Sequence, residues 1–233
     1  MKISAGIVAG FALSAVFAAS TQADILANWT FEAPNTPGDI TNNGTGPTVN
    51  ASGGVFVATS VATGLHISAN TDWTTPVGNG SLESLSSNEW AIGDYYQFST
   101  SSTAYTGISI SWDQTGSATG PRDFVLQYST DNVTYNTFVS YQMTSPAVSW
   151  SSVTPVATTS YSFDLSSIAA LNNDSSIFFR FAMNTTTSIN GGTVATAGTN
   201  RVDNIVISAA VPAPGAIALL GLAVVIGARS RRR

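Results

Sequence analysis

Short runs with a period of two residues constrain this chain more than any other feature. Over residues 104–113, Ile108, Ile110 and Trp112 fall on one face, and Ser109, Ser111 and Asp113 on the other. That pattern gives a strand one dry side and one wet side. Similar runs recur at residues 25–32, 54–60, 64–69, 90–99, 124–128, 135–143, 161–165, 175–184 and 201–208. Clusters of Gly, Pro, Asn, Ser and Thr separate them, including a long loop over residues 33–54. The stretch 164–171 has room for one helical turn. Residues 129–132 read Ser-Thr-Asp-Asn between two strand patterns, a hairpin connection in which Asp and Asn tolerate positive φ. Many short strands with turn signals between them predict an all-β fold, an antiparallel β-sandwich. Successive strands would alternate between the two sheets in a jelly-roll-like way. No repeat period and no internal linker stand out, so residues 24–210 are read as one domain.

The composition narrows the function classes. Only 9% of the 233 residues are charged, against about 25% in ordinary soluble proteins. There are no cysteines, so disulfides and thiolate chemistry are excluded. Lys2 is the only lysine, and of seven arginines only Arg122, Arg180 and Arg201 lie between the two ends. The acidic middle would repel a phosphate backbone, so nucleic acid is not an expected partner.

The two ends read as export signals. Lys2 precedes an apolar stretch through Ile7, Val8, Phe11, Leu13, Val16 and Phe17, and Thr21-Gln22-Ala23 supplies small residues at positions that signal peptidase reads. Residues 1–23 are read as a signal peptide, an N-terminal signal helix, cleaved between Ala23 and Asp24. At the other end Val211-Pro212-Ala213-Pro214 breaks any strand or helix. A wholly apolar or small run follows over residues 215–228, then Arg229, Ser230, Arg231, Arg232 and Arg233. A helix over that run covers roughly 20 Å, short of the ~30 Å hydrocarbon core, and snorkelling arginines and local thinning close part of the gap. A short C-terminal transmembrane helix with its basic end in the cytoplasm is expected. The domain then lies beyond the inner membrane, at the cell surface, in the outer envelope or in an extracellular matrix.

This tripartite end, residues 211–233, resembles the PEP-CTERM sorting signal of bacteria that make extracellular polysaccharide, with Ala213 where that family usually has Glu. The resemblance implies recognition by an exosortase. It concerns destination and leaves the activity of the domain open. A second resemblance lies inside the domain. Phe124-Val125-Leu126-Gln127-Tyr128-Ser129-Thr130-Asp131-Asn132, Phe178-Phe179-Arg180-Phe181 and Arg201-Val202-Asp203-Asn204-Ile205-Val206-Ile207 look like strands of galactose-binding-like and discoidin-like jelly rolls. Asn132 stands where their hairpin usually has Gly. The resemblance implies a sandwich scaffold with carbohydrate-binding ancestry.

The chemistry-bearing residues are sparse. His66 is the only histidine, and a Ser-His-Asp triad would have to use it. No Gly-x-Ser-x-Gly elbow accompanies it, and it reads as structural or surface. Glu83, Glu89, Asp94, Asp113 and Asp123 could pair for glycoside hydrolysis. Asp203 near Arg180 or Arg201 reads as an ion pair at strand ends. No cofactor is expected. A structural calcium ion would draw on loop carboxylates at Asp39, Asp72, Asp131 and Asp174, although no EF-hand loop occurs. Trp73, Trp90, Tyr95 and Tyr96 stand beside Asn70, Asp72, Asn88, Glu89 and Asp94 and are the candidates for stacking on sugar rings. Core packing is the competing use for each of them. The resulting expectation is a non-catalytic structural or adhesive sandwich, associated with extracellular polysaccharide. The alternative is a secreted carbohydrate-active enzyme or its binding module.

Overall fold

The computed structural model describes residues 23–211. The expected signal helix and sorting tail, including Pro212, Ala213, Pro214 and the arginines from Arg229 onward, lie outside the described residues. No helix among the described residues is long and apolar enough to cross a membrane.

The described chain is all-β, with twelve strands in two antiparallel sheets of six. The strands are β1 (Ala23–Trp29), β2 (Val49–Asn50), β3 (Val61–Leu65), β4 (Trp73–Thr74), β5 (Leu85–Ser87) and β6 (Tyr95–Thr100). They continue as β7 (Thr106–Gly116), β8 (Asp123–Ser129), β9 (Asn136–Gln142), β10 (Ser160–Asp164), β11 (Ile177–Met183) and β12 (Asn200–Ala210). The first sheet runs β10-β7-β12-β5-β4, and β1 also pairs with β12. β5 pairs with Asn200–Val202 and β1 with the later part of β12, so they share one edge of that long strand. The second sheet runs β2-β3-β6-β11-β8-β9.

Period-two alternation determines the core. From the first sheet, Ile108, Ile110 and Trp112 of β7 and Val202, Ile205 and Ile207 of β12 point inward. Tyr96 and Phe98 of β6, Phe124 and Leu126 of β8, and Phe179 and Phe181 of β11 meet them from the second sheet. Trp112 stacks on Phe181 across the gap, with ring centroids 4.1 Å apart. Burying this many aromatic rings is the main source of stability in a chain without disulfides.

Several sequence expectations are corrected. Residues 54–60 do not form a strand. They hold a 3-10 turn at Val57–Thr59, where Gly54 adopts φ +109° and its missing Cβ lets the chain pass the backbone of Leu26 and Ala27. The strand expected at 64–69 ends at Leu65. The short strands β2, β4 and β5 were not expected, because two or three residues cannot display a period. The helical turn expected in 164–171 is a 3-10 turn at Ala169–Leu171. Alternation between sheets is partial: β5 through β8 and β9 through β12 alternate, whereas β2–β3, β4–β5 and β8–β9 are hairpin neighbours within one sheet.

The β8–β9 hairpin pairs as expected, but its connection is longer than residues 129–132. Tyr128 is paired with Asn136, and Asn132 takes φ 58°. Asp131 Oδ1 accepts the backbone N–H groups of Val133 and Thr134 and the Ser129 hydroxyl. Those bonds favour the ionised carboxylate and pull its pKa down to about 2. The longer loop frees Tyr135 from the ladder, which matters below. At the first edge, Ala23 and Asp24 pair with Ala210 and Ala209, so the two expected boundaries of the domain are strand partners, and Val211 follows directly.

Candidate functional site

The four aromatic candidates separate. Trp73 and Tyr96 are 0% exposed and Trp90 is 7% exposed; these three cannot present a face to a sugar. Trp73 lies on β4 and reaches across to the second sheet, where Gly64 leaves room for it: a Cβ at Gly64 would sit 2.3 Å from the ring. Its indole N–H donates to Asn43 O at 2.9 Å. Trp90 donates to Ser87 O at 3.0 Å and packs edge-on against Tyr96 and Phe124. Only Tyr95 remains partly exposed. Tyr95 and Tyr96 are consecutive on β6, so the pleat sends one out and the other in.

His66 sits between Trp73 and Trp90, with ring centroids 4.7 and 4.2 Å away. Its Nε2 is 3.4 Å from the Ser87 hydroxyl, and its Nδ1 is 3.3 Å from the Thr71 hydroxyl and 3.6 Å from Asp94 Oδ2. Ser, His and Asp therefore meet in the order a hydrolase triad uses, but all three are buried. Asp94 spends its oxygens on the backbone N–H groups of Ile67 and Ala91, and 3.6 Å is beyond hydrogen-bond reach. Burial pushes the imidazole down to about 3, so it is neutral and structural. Ser87 Oγ continues into a buried chain through the Tyr96 hydroxyl, which donates to Asn200 O.

Most of the other candidate carboxylates are also committed within the fold, whereas Glu83 Oε2 is buried without a hydrogen-bond partner among the described residues. Asp113 accepts Ser160 and Asn204, and Asp123 accepts Arg122, Gln142 and Thr185. Glu89 accepts Ser68. The loop acids considered for calcium cap local turns or tether loops: Asp39 accepts Thr75 N, Asp72 accepts Asn42 N and Asp174 accepts Ser176 N. Among the described residues no three His, Asp or Glu side chains converge as a metal cluster. The ion pair expected for Asp203 is not formed. That carboxylate is buried and accepts Asn79 N and the Ser81 hydroxyl, and burial raises it to about 6.

A site that composition alone did not show lies on the outer face of the second sheet. The cross-strand row Thr63–Gln97–Arg180–Gln127 runs over β3, β6, β11 and β8, with Tyr95 in the next row of β6. Arg180 is clamped between two rings. Its guanidinium carbon lies 3.8 Å from the Tyr95 centroid and 3.6 Å from that of Tyr135, close enough for cation–π attraction. Arg180 Nε donates to Gln97 Oε1 at 2.8 Å. The Tyr135 hydroxyl is within reach of Gln97 Oε1 at 2.9 Å and Asn132 Oδ1 at 2.6 Å, and its single proton can serve one of them. The described residues give Arg180 no carboxylate partner. The result is a strip of partly exposed π faces and a fixed cation with unused N–H donors, laid over the buried amide of Gln97 with the half-buried Gln127 beside it. Such a strip can stack on the apolar face of a sugar ring and bond its hydroxyls. The signal in the sequence was the arginine between phenylalanines on β11, a charge at an outward position of a strand otherwise rich in core residues.

No protein-family model matches the chain, and no curated protein matches it. Among solved structures, it is similar to the xylan-binding CBM22-2 domain of Paenibacillus barcinonensis Xyn10C, at 13% identity and TM-score 0.41, over 79% of this chain and 99% of that one. It is similar to the K1 cleaved adhesin domain of Lys-gingipain from Porphyromonas gingivalis, at 12% identity and TM-score 0.41, over 78% and 96% of the two chains. It is also similar to a family 29 carbohydrate-binding module from Piromyces equi, at 10% identity and TM-score 0.35, over 81% and 91%. At these values the binding chemistry of this chain rests on its own residues.

Proposed function

We propose that this chain is an exported, exosortase-sorted surface or matrix protein whose sandwich acts without catalysis, as a structural or adhesive module on extracellular polysaccharide. The Tyr95–Arg180–Tyr135 clamp, with Gln97 and Gln127 beside it, carries the reading: it joins aromatic faces to fixed hydrogen-bond donors on an open sheet face. The charged N-region and apolar stretch before Ala23, and the Val211–Pro212–Ala213–Pro214 tail with its terminal arginines, support export and sorting. Signal peptidase, an exosortase and the membrane are the partners along that route.

Two measurements test it. The purified exported protein is screened against a panel of bacterial and plant polysaccharides. Selective retention that drops about tenfold in Tyr135→Ala supports the module, since losing a stacking face costs ~1–2 kcal/mol. Sugar release that disappears on one Asp or Glu substitution would instead establish the carbohydrate-active enzyme. In cells, a tagged chain lacking residues 211–233 should be released or misplaced, and a full-length precursor found soluble in cytosol would refute the export route.

A further inference from the structure

The opposite face of the sandwich holds a second arginine in a groove. Thr74, Ser86, Arg201 and Thr115 form one cross-strand row over β4, β5, β12 and β7, on the outer side of the first sheet. The loop after β9 folds back over this face, and Thr115 Oγ1 donates to Val148 O at 2.8 Å. Between loop and sheet lies a groove of about 380 Å³, with Arg201 in its wall among Thr74, Ser117, Ser149 and Thr199. That volume is at the small end of the ~300–1,000 Å³ range of ligand pockets.

The guanidinium of Arg201 is under-used for its position. It is half-buried and lies 4.9 Å over the Trp150 ring. Nη1 donates to Val77 O at 2.9 Å, and the described residues give it no carboxylate partner. Burial presses its pKa below the ordinary arginine value, with Asp203 opposing that from two residues along the strand. Arginine cannot shed its proton to relieve the desolvation. A partly dehydrated guanidinium with free donors beside an open groove of mixed hydroxyl and apolar lining matches a planar oxyanion that accepts two parallel N–H bonds. The lining mixes hydroxyls with the apolar side chains of Pro76, Ala118, Ala147 and Val148, so the body attached to that oxyanion carries both hydroxyls and C–H faces, as a sugar ring does.

We propose that this groove is a second binding site, specific for a carboxylate-bearing sugar, with Arg201 holding the carboxylate and the groove hydroxyls holding the ring. The choice of a sugar rests on the polysaccharide reading above; the choice of an anion rests on Arg201 alone. The domain would then carry one aromatic glycan-binding face and one acidic-sugar groove on opposite sides.

The test titrates the purified exported protein calorimetrically with trigalacturonate, with its methyl ester, and with sodium acetate as a bare carboxylate. Wild-type protein should bind trigalacturonate at least about tenfold more tightly than the ester, the size expected of a charge-assisted bidentate contact. Arg201→Gln should abolish that difference, and Tyr135→Ala should leave it intact. Ala118→Trp, which narrows the groove without touching Arg201, should weaken trigalacturonate binding as well and covers the case in which Arg201→Gln fails to fold. Equal binding of acid and ester, no binding of trigalacturonate, acetate binding as tightly as trigalacturonate, or a preference that follows Arg180→Gln would each overturn the proposal. The outcomes separate the two readings: loss of polysaccharide retention in Tyr135→Ala concerns the second sheet, and loss of acid preference in Arg201→Gln concerns the groove.

Discussion

His66 and Arg180 are each held between two aromatic rings, yet one lies in the core and the other faces solvent. His66 touches Trp73 and Trp90, and Arg180 touches Tyr95 and Tyr135. Protonation chemistry accounts for the difference. An imidazole can be buried by giving up its charge, and its pKa falls to about 3 in doing so. A guanidinium keeps its charge at any accessible pH, so it stays where water or a ligand can reach its donors. The same local motif is therefore a packing element inside and a binding element outside.

Trp73→Ala should have the largest effect. Removing a fully buried indole costs about 3–5 kcal/mol, read as a drop in the denaturant midpoint, and glycan affinity of the folded protein should not change. A folded Trp73→Ala protein that has lost its glycan would reverse the assignment of the two clamps.

Acid should act on the buried clamp next. Unfolded His66 takes up a proton near its ordinary 6.5, and the folded form resists down to about 3. This contribution is complete above pH 6.5 and is lost as pH falls toward 3, by roughly 5 kcal/mol at most. Asp203 has the opposite sign. Its folded pKa is raised from 3.8 to about 6, so it costs stability as pH rises through that window, by about 2–3 kcal/mol at most. Asp94, also raised by burial, acts in the same direction as Asp203. Wild-type stability between pH 4 and 6 is a partial cancellation. His66→Gln should unmask the carboxylates, and its urea-derived stability should decline from pH 4 to 6. An unchanged pH profile in His66→Gln would remove the neutral-imidazole account.

Gly64→Ala is the third. The added methyl would overlap Trp73 at 2.3 Å, and the overpacking should cost about 1–3 kcal/mol in a thermal or chemical melt. Arg180→Gln should be the mildest for the fold, under about 1 kcal/mol, while lowering glycan affinity about tenfold. A large loss of stability with no change in binding would make the outer clamp structural as well.

Most of the longer strands were legible from their alternation, whereas the runs at 54–60 and 64–69 misled: the first holds a 3-10 turn at Val57–Thr59, and the second leaves the sheet after Leu65. β7, β8, β9, β11 and β12 fall within a few residues of the expected positions, because each has one face pressed on the core. β2, β4 and β5 were not legible: their positions follow from partners distant in sequence, such as Asn200–Val202 for β5. The site was half legible. Tyr95 was among the candidates, but Tyr135 was read as a strand residue, and only the length of the β8–β9 loop puts it over Arg180. Trp73, Trp90 and Tyr96 stood beside polar residues in sequence and looked like a platform. Those neighbours, Asn88 and Asp94 among them, turned out to bond backbone groups around the buried rings.

By itself the sequence determined the fold class, since period-two patterning without cysteine or helical periods leaves a two-sheet sandwich as the way to bury these aromatic residues. It also determined where the cations are, because only three arginines stand inside the domain. The tertiary structure alone decided which aromatic rings meet a cation and which meet the core. That choice depends on cross-strand register and on how far each connecting loop reaches, and neither is written in the local pattern of residues.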